Sequence, residues 1–547
     1  MRKFLVFGLA VGLLFVALIL PPLTGAKRNE KARKRIDQEK LANDKAAREW
    51  NPGVMSAQAV NFGISPTVRE LAAAQERLSP AQARRAPVKN HEELIEKARE
   101  QSISGGKGGR AESREDEVSE KNRRNAEIIR KGDPEMKTEP DAAIARVPGN
   151  DRSITPRVMP TPTVSFESIS LTDTTALPGQ GFLPPDTVGE IGPNHFVQMV
   201  NSAFRIYNRT GTPVIPLTSI GALFSSIPGP CANSEDGDPI VLYDQLADRW
   251  ILSEFCVVAN PNNHQLIAVS QTGDPTGAYY LYDFMMPNNK FNDYPKFGVW
   301  SDGYYMTDNQ FNQAGTQFLG AGLFAFDRTK MLAGDPTAGF IYFDKAEGCP
   351  GACQFGGMLP GDIDGFTPPP AGAPAPFIQF DADEFGATDS LRIFDFHADF
   401  AVPANSTLLE RTGSPLAVAA FDSREVPPGS RNIIPQPPPG VAVDVISDRL
   451  MNRLAYRNYG THESLALNHS VNAAVNPAFR SGVRYYEIRK ATPTGAYVVQ
   501  EQGTMSGAPG DTTHRWMGSA AMNAAGSLAV GYSVSSASVF PGIRYAG

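Results

Sequence analysis

Five aspartates stand at corresponding places along the chain. Asp186, Asp238, Asp293, Asp362 and Asp448 each open a short apolar strand. If those strands are the innermost ones of stacked sheets, the five carboxylates face one axis. Crowded carboxylates repel and push protons back on. A ring of such oxygens suits a hard cation, calcium above all. The competing use is structural: an aspartate before a strand bonds the backbone of its own turn, as Asp238-Pro239 suggests, or pairs between sheets. A second group is basic. Arg449, Arg453 and Arg457 have one parity on one predicted strand, so they share a face. With Arg515, Arg484 and Tyr485 they would grip a carboxylate, which the guanidinium fork matches. Salt bridges between sheets are the alternative use of the same arginines. His462 beside Glu463, His469, and His514 beside Arg515 read as satisfied core or turn histidines. No nucleophile elbow, P-loop or dinucleotide fingerprint occurs, and no catalytic residue is assigned.

The elements that must position these residues recur. Asn292–Thr307, NDYPKFGVWSDGYYMT, is an acidic start, an apolar strand, a polar turn and a second strand. The same order returns loosely from Asp186, Asp238, Asp448 and His514, and less regularly from Asp362. A unit of this kind cannot bury both faces alone and must stack on copies of itself. The pattern predicts an all-β fold, a β-propeller of six to seven four-stranded blades over residues 161–547. The strand Val164–Leu171 is expected to pair with the last blade and close the ring, which removes exposed edges. The sixth unit has reached only Ile543-Arg544-Tyr545 when the sequence stops. The last blade is therefore expected to be incomplete, in a truncated chain, or completed from the N-terminal side.

Two segments precede the propeller. Residues 1–26 carry Arg2 and Lys3, an apolar run Phe4–Leu20 and small residues at Thr24 and Ala26, the pattern of a signal peptide. The basic cluster from Lys27 to Arg35 opposes simple export, and an uncleaved N-terminal anchor is the alternative. Residues 27–160 are dense in Lys, Arg, Glu, Ala and Gln and read as a charged spacer, largely disordered, with short helical patterns at Thr67–Leu78 and Glu92–Gln101. No apolar heptad persists, which argues against a coiled-coil stalk. The net charge of −7 leaves no basic footprint for nucleic acid.

The stretches GDPIVLYDQLADRWILSEF, VSQTGDPTGAYYLYDF, NDYPKFGVWSDGYYMT, ISDRLMNRLAYRN, HESLALNHSV and HRWMGSAAM resemble a family of exported bacterial β-propeller proteins of uncharacterised role. Some of its members resemble surface proteins with adhesion-type modules. The resemblance covers about residues 160–547 and implies fold and export, with no catalytic residues to carry over. It also implies a further blade beyond the point where this sequence ends. The arginines invite comparison with the triad of sialidases, which are also propellers, but no Asp-box occurs and Trp300-Ser301-Asp302-Gly303 is only a partial echo.

The four cysteines fit export. Cys231 lies in the loop before the second unit and Cys256 ends one of its strands, so these two are paired. Cys349 and Cys353 would then close a tiny loop. A zinc site is the alternative, but the sequence places no second cysteine pair or nearby histidine to complete it. Together these readings predict a secreted or cell-surface propeller that binds a glycan or protein ligand and meets a membrane only through its N-terminal segment. A glycoside hydrolase or lyase is the alternative.

Overall fold

The computed structural model describes residues 52–76, 89–90, 160–174, 177, 182–258, 262–313, 315, 317–345, 355–383, 388–423, 432–474, 479–492, 495–507 and 510–547. The signal segment 1–26, Cys349 and Cys353, and most of the stretch 27–160 lie outside them. No helix among the described residues is long and apolar enough to cross a membrane.

The protein is mostly β, with its sheets in a propeller-like arrangement. Six antiparallel meanders follow in chain order among the described residues. The first comprises Val188–Ile191, His195–Val200, Ala203–Asn208 and Thr218–Ser219. The second comprises Ile240–Asp244, Arg249–Cys256, His264–Ser270 and Tyr279–Met285, and the third Lys290–Val299, Gly303–Asn312, Phe318–Asp327 and Gly339–Asp344. The fourth comprises Leu359–Ile363, Ala375–Asp381, Ser390–His397 and Thr407–Glu410. The fifth comprises Leu450–Asn458, His462–Asn472, Ser481–Ala491 and Val498–Met505, and the sixth His514–Met522, Leu528–Ser535 and Gly542–Ala546. The opening strand of each meander packs against the opening strand of the next. Between the fourth and fifth this contact becomes a parallel pairing, with Asp362 opposite Ala455.

Stacking explains why the strands are apolar on both faces. Along Arg249–Cys256, Trp250 and Leu252 enter the core shared with Val197 and Phe204 of the first meander. Ile251, between them, points the other way, into the core shared with Phe297 and Phe324 of the third. Trp250 and Trp300 are buried, and burial of a large side chain contributes roughly 1.5–3 kcal/mol. The Ser301-Asp302-Gly303 turn is a tight one, closed by the Trp300 N–H donating to the Gly303 carbonyl at 3.0 Å.

Two expectations need correction. Composition assigns all of 27–160 to a spacer, yet residues 52–76 add two strands and a helix to the fold. Val54–Gln58 adds a fifth strand to the third meander, opposite Gly339–Phe343. Asn61–Ile64 adds a fifth strand to the second, opposite Tyr280–Asp283. The helix Val68–Glu76 follows, and its Val68 and Ala72 enter the core between the first and second meanders. A capping box starts it: the Thr67 N–H donates to Glu70 Oε2 at 2.9 Å, and the Glu70 N–H to Thr67 Oγ1 at 3.2 Å. Edge strands with exposed side chains need little apolar sequence, because backbone hydrogen bonds hold them.

The second correction concerns Val164–Leu171, which contains no strand; a helical turn, Leu171–Thr174, begins at its last residue. Its backbone is satisfied by side chains instead. Gln198 Oε1 accepts from the Ile169 N–H at 3.1 Å, and Asp173 Oδ2 from the Ser170 N–H at 2.8 Å. Phe166 lies against Tyr207 of the first meander, ring centroids 5.0 Å apart. Just upstream, Tyr545 of the sixth meander donates to the Pro160 carbonyl at 2.6 Å. This segment therefore touches the first and last meanders through side chains rather than through a ladder.

Candidate functional site

The opening strands bring charged residues from separate meanders together. Asp186 and Asp238 precede the first two and Tyr294 lies within the opening strand of the third; all have left-handed backbone, with φ of 42°, 47° and 52°. Aspartate tolerates this region, whereas for a tyrosine it costs about 1–2 kcal/mol. Strain of this kind marks a position held for a purpose. Tyr294 sits at a bulge between Asp293 and Lys296. Its N–H donates to Asp238 Oδ2 at 3.1 Å, which locks the second meander to the third.

Around the Tyr294 ring, Lys296 Nζ lies 3.6 Å from the centroid and the Arg449 guanidinium 4.8 Å. Asp186, Asp238 and Asp448 act electrostatically on this group. Lys296, Tyr294, Arg449 and the three aspartates are all partly exposed, so the cluster forms a half-buried mouth rather than a sealed core. Loss of hydration lowers the Lys296 ammonium to about 8 despite Asp238 and Asp186. The same effect pushes the Tyr294 hydroxyl up to about 12.

Three of the five expected aspartates, Asp186, Asp238 and Asp448, thus meet in one cluster, with two cations among them. Asp362 occupies a different position, and Asp293 acts electrostatically on Lys296 from within the strand pair. Asp293 is buried opposite Asn309 in a strand pair. The residue equivalent to Asp238 in the third meander is Tyr294, because each precedes a proline, Pro239 or Pro295. Asp362 stands inside its strand, where it accepts from the Val299 N–H at 2.9 Å and from Arg453 Nε at 2.6 Å.

The arginines do not converge. Between Met451 and Ala455 the strand takes up two residues more than its partner, and Arg449, Arg453 and Arg457 each go to a separate partner. Arg449 forks onto Asp448 with two contacts of 2.9 Å. Arg453 bridges Asp362 and Asp364 at 2.6 and 2.7 Å, and against the loss of hydration on burial the two carboxylates hold its pKa above the usual value. Arg457 donates to the Met522 carbonyl at 3.2 Å. Arg515 binds Asp511 at 2.7 Å and two carbonyls, those of Ser506 and Thr513. Salt bridges and carbonyl contacts between elements are their use.

Deeper along the opening strands lies Glu190, which sequence reasoning missed. Desolvation pushes its carboxyl up to about 7, with Arg453 opposing and Asp362 and Asp364 adding to the rise. The available signal was a lone acid in an otherwise apolar opening strand, VGEI; Lys296 in KFGV is the same kind of signal. Among the histidines, His469 is a neutral core residue, stacked on Phe380 at 4.6 Å and driven down to about 3 by burial.

The disulfide Cys231–Cys256 is present, with Cα atoms 5.9 Å apart. It ties the loop ahead of the second meander to that meander's second strand.

No protein-family model and no curated protein matches the chain. Among solved structures, the chain is similar to a BT0996 RGII complex at 10% identity and a TM-score of 0.28, covering 56% of this chain and 85% of that one. It is also similar to an exo-1,5-alpha-L-arabinanase from a bovine ruminal metagenomic library at 11% identity and 0.26, covering 58% and 96%. A third is the GH43_1 enzyme from Xanthomonas citri complexed with xylose, at 12% and 0.26, covering 66% and 86%. Likenesses of this strength assign no residue and no activity to this chain.

Proposed function

We propose that the chain is an extracytoplasmic β-propeller whose six meanders are its blades, and that the mouth around Tyr294, Lys296 and Arg449 binds a glycan. The observation that carries this reading is the alternation of charge at that mouth. Carboxylates of Asp186, Asp238 and Asp448 accept hydrogen bonds, while Lys296 and Arg449 donate them. A sugar hydroxyl does both at once, so a polyhydroxylated ligand matches such a surface better than a simple ion does. The strained Tyr294 holds the cations in place through its ring. The disulfide supports a location outside the reducing cytosol, and the resemblance to exported propellers agrees with it. The test is a glycan array of neutral and acidic oligosaccharides probed with the wild type, Lys296→Ala and Asp238→Asn. Binding should fall about 10-fold or more in each variant, as loss of a charge-assisted hydrogen bond implies. A glycan bound equally by all three proteins would remove the site.

A second reading, glycoside hydrolysis, is favoured by one observation. Glu190, whose carboxyl burial pushes up to about 7, sits close to Asp362 and Asp364, and a carboxyl raised toward neutrality beside other carboxyls is what acid-assisted hydrolysis needs. Release of nitrophenol from chromogenic glycosides, abolished in Glu190→Gln, would establish it. No release across arabinosides, xylosides, galactosides and sialosides would dismiss it.

A further inference from the structure

A row of metal-ligating side chains crosses the second meander away from the mouth. Cys256 is directly opposite His264 in the sheet, so both side chains lie on one face. His264 Nδ1 and Asp283 Oδ1 are 2.6 Å apart, and Asn61, opposite Asp283 on the added edge strand, donates to Asp283 Oδ2 at 2.7 Å. Cys231 closes over the row from the preceding loop through its bond to Cys256. Donor atoms of Cys231, His264 and Asp283 all lie within 4.8 Å of one another. Cys231, Cys256, His264 and Asp283 are at most 6% exposed.

We propose that this corner is a zinc site in the reduced protein. Two thiolates, one imidazole and one carboxylate are the ligand types and the number that tetrahedral zinc takes. The disulfide holds the two sulfurs in a bond and makes them unable to ligate as thiolates. Reduction by a dithiol delivers two electrons and two protons to the Cys231–Cys256 bond, and the dithiol becomes its own disulfide. Both thiols then lose their protons to solvent as zinc binds. Zinc and the disulfide are alternative fasteners for the same loop, so the loop stays anchored to the sheet before oxidation as well as after it. Asn61 gives the site a second role for residues 52–76, because its hydrogen bond orients Asp283.

The test uses the full chain with Cys349→Ser and Cys353→Ser, which removes the other two thiols. Zinc content is measured by mass spectrometry after anaerobic desalting, with and without prior dithiothreitol treatment. The expected result is about one zinc per reduced chain and almost none per oxidised chain. His264→Ala in the reduced chain should weaken zinc at least about tenfold against a competing chelator. Circular dichroism monitors the fold. A folded reduced chain that holds no zinc overturns the proposal. Zinc retained undiminished in His264→Ala overturns it too, and so does a reduced chain that unfolds with zinc present.

Discussion

Replacing Arg453 by methionine should expose how strongly the fourth and fifth meanders depend on one buried charge. Arg453 bonds Asp362 at 2.6 Å and Asp364 at 2.7 Å, and the three side chains are 15%, 5% and 10% exposed. Methionine keeps most of the volume and removes the charge, leaving two carboxylates without it in a poorly hydrated place. Removing one partner of such a buried group costs about 3–5 kcal/mol, far above the value of a surface pair. The deficit carries a pH signature. Burial already raises the Asp362 carboxyl, and loss of Arg453 raises it further. The native state of the variant then binds more protons than the unfolded chain at every pH between the unfolded value near 4 and the raised native value. Over that window stability falls as pH rises, by at most about 1.4 kcal/mol per unit for one group. The variant should therefore be least stable near pH 7 and recover toward pH 5. Urea unfolding followed by tryptophan fluorescence at pH 5, 6 and 7 measures this against the wild type. A deficit below about 1 kcal/mol, or one that is the same at pH 5 and pH 7, would refute the charge argument.

Gly192→Ala should destabilise the contact of the first and second meanders by about 1–3 kcal/mol, because a Cβ there would stand 2.6 Å from Trp250 Cζ2; thermal melting followed by circular dichroism checks it. Thr67→Ala should cost about 1 kcal/mol at the capping box and raise hydrogen exchange across residues 67–76 before the meander cores respond. Calcium is also proposed for the mouth, where the Lys296 ammonium opposes it. Lys296→Ala should therefore show a larger rise in melting temperature with millimolar calcium than the wild type, and equal responses would dismiss calcium there.

Much of the sheet order was legible because buried strands repeat a strong apolar signal. Trp250, Ile251 and Leu252 must each find a covered face, and only stacked sheets cover both. The Cys231–Cys256 pairing was legible for a related reason, since the loop and the strand end belong to one unit. The added strands at Asn61–Ile64 and Val54–Gln58 were not, because their partners lie more than 200 residues away and their pairing uses backbone groups that every residue carries. The charged cluster around Tyr294 was half legible. Asp186, Asp238 and Asp448 were found as openers of strands. Tyr294 was missed because the acid Asp293 was matched to Asp238, whereas the equivalent left-handed residue is the one that precedes the proline, and the arginines were misplaced because the two residues added to their strand between Met451 and Ala455 leave no mark in the sequence. His264 could not be joined to the cysteines from sequence, since a strand pairing brings it there.

The measurement that tests the glycan-binding account most directly is the pH dependence of affinity for the strongest glycan on the array, by isothermal titration between pH 6.5 and 9.5. Lys296 loses its charge around pH 8 and with it part of its hold on ligand oxygens. The account predicts an affinity that falls as pH rises through about 8 in the wild type and stays level in Lys296→Met. A wild-type affinity that is flat across that range, or a fall that survives in Lys296→Met, would contradict it.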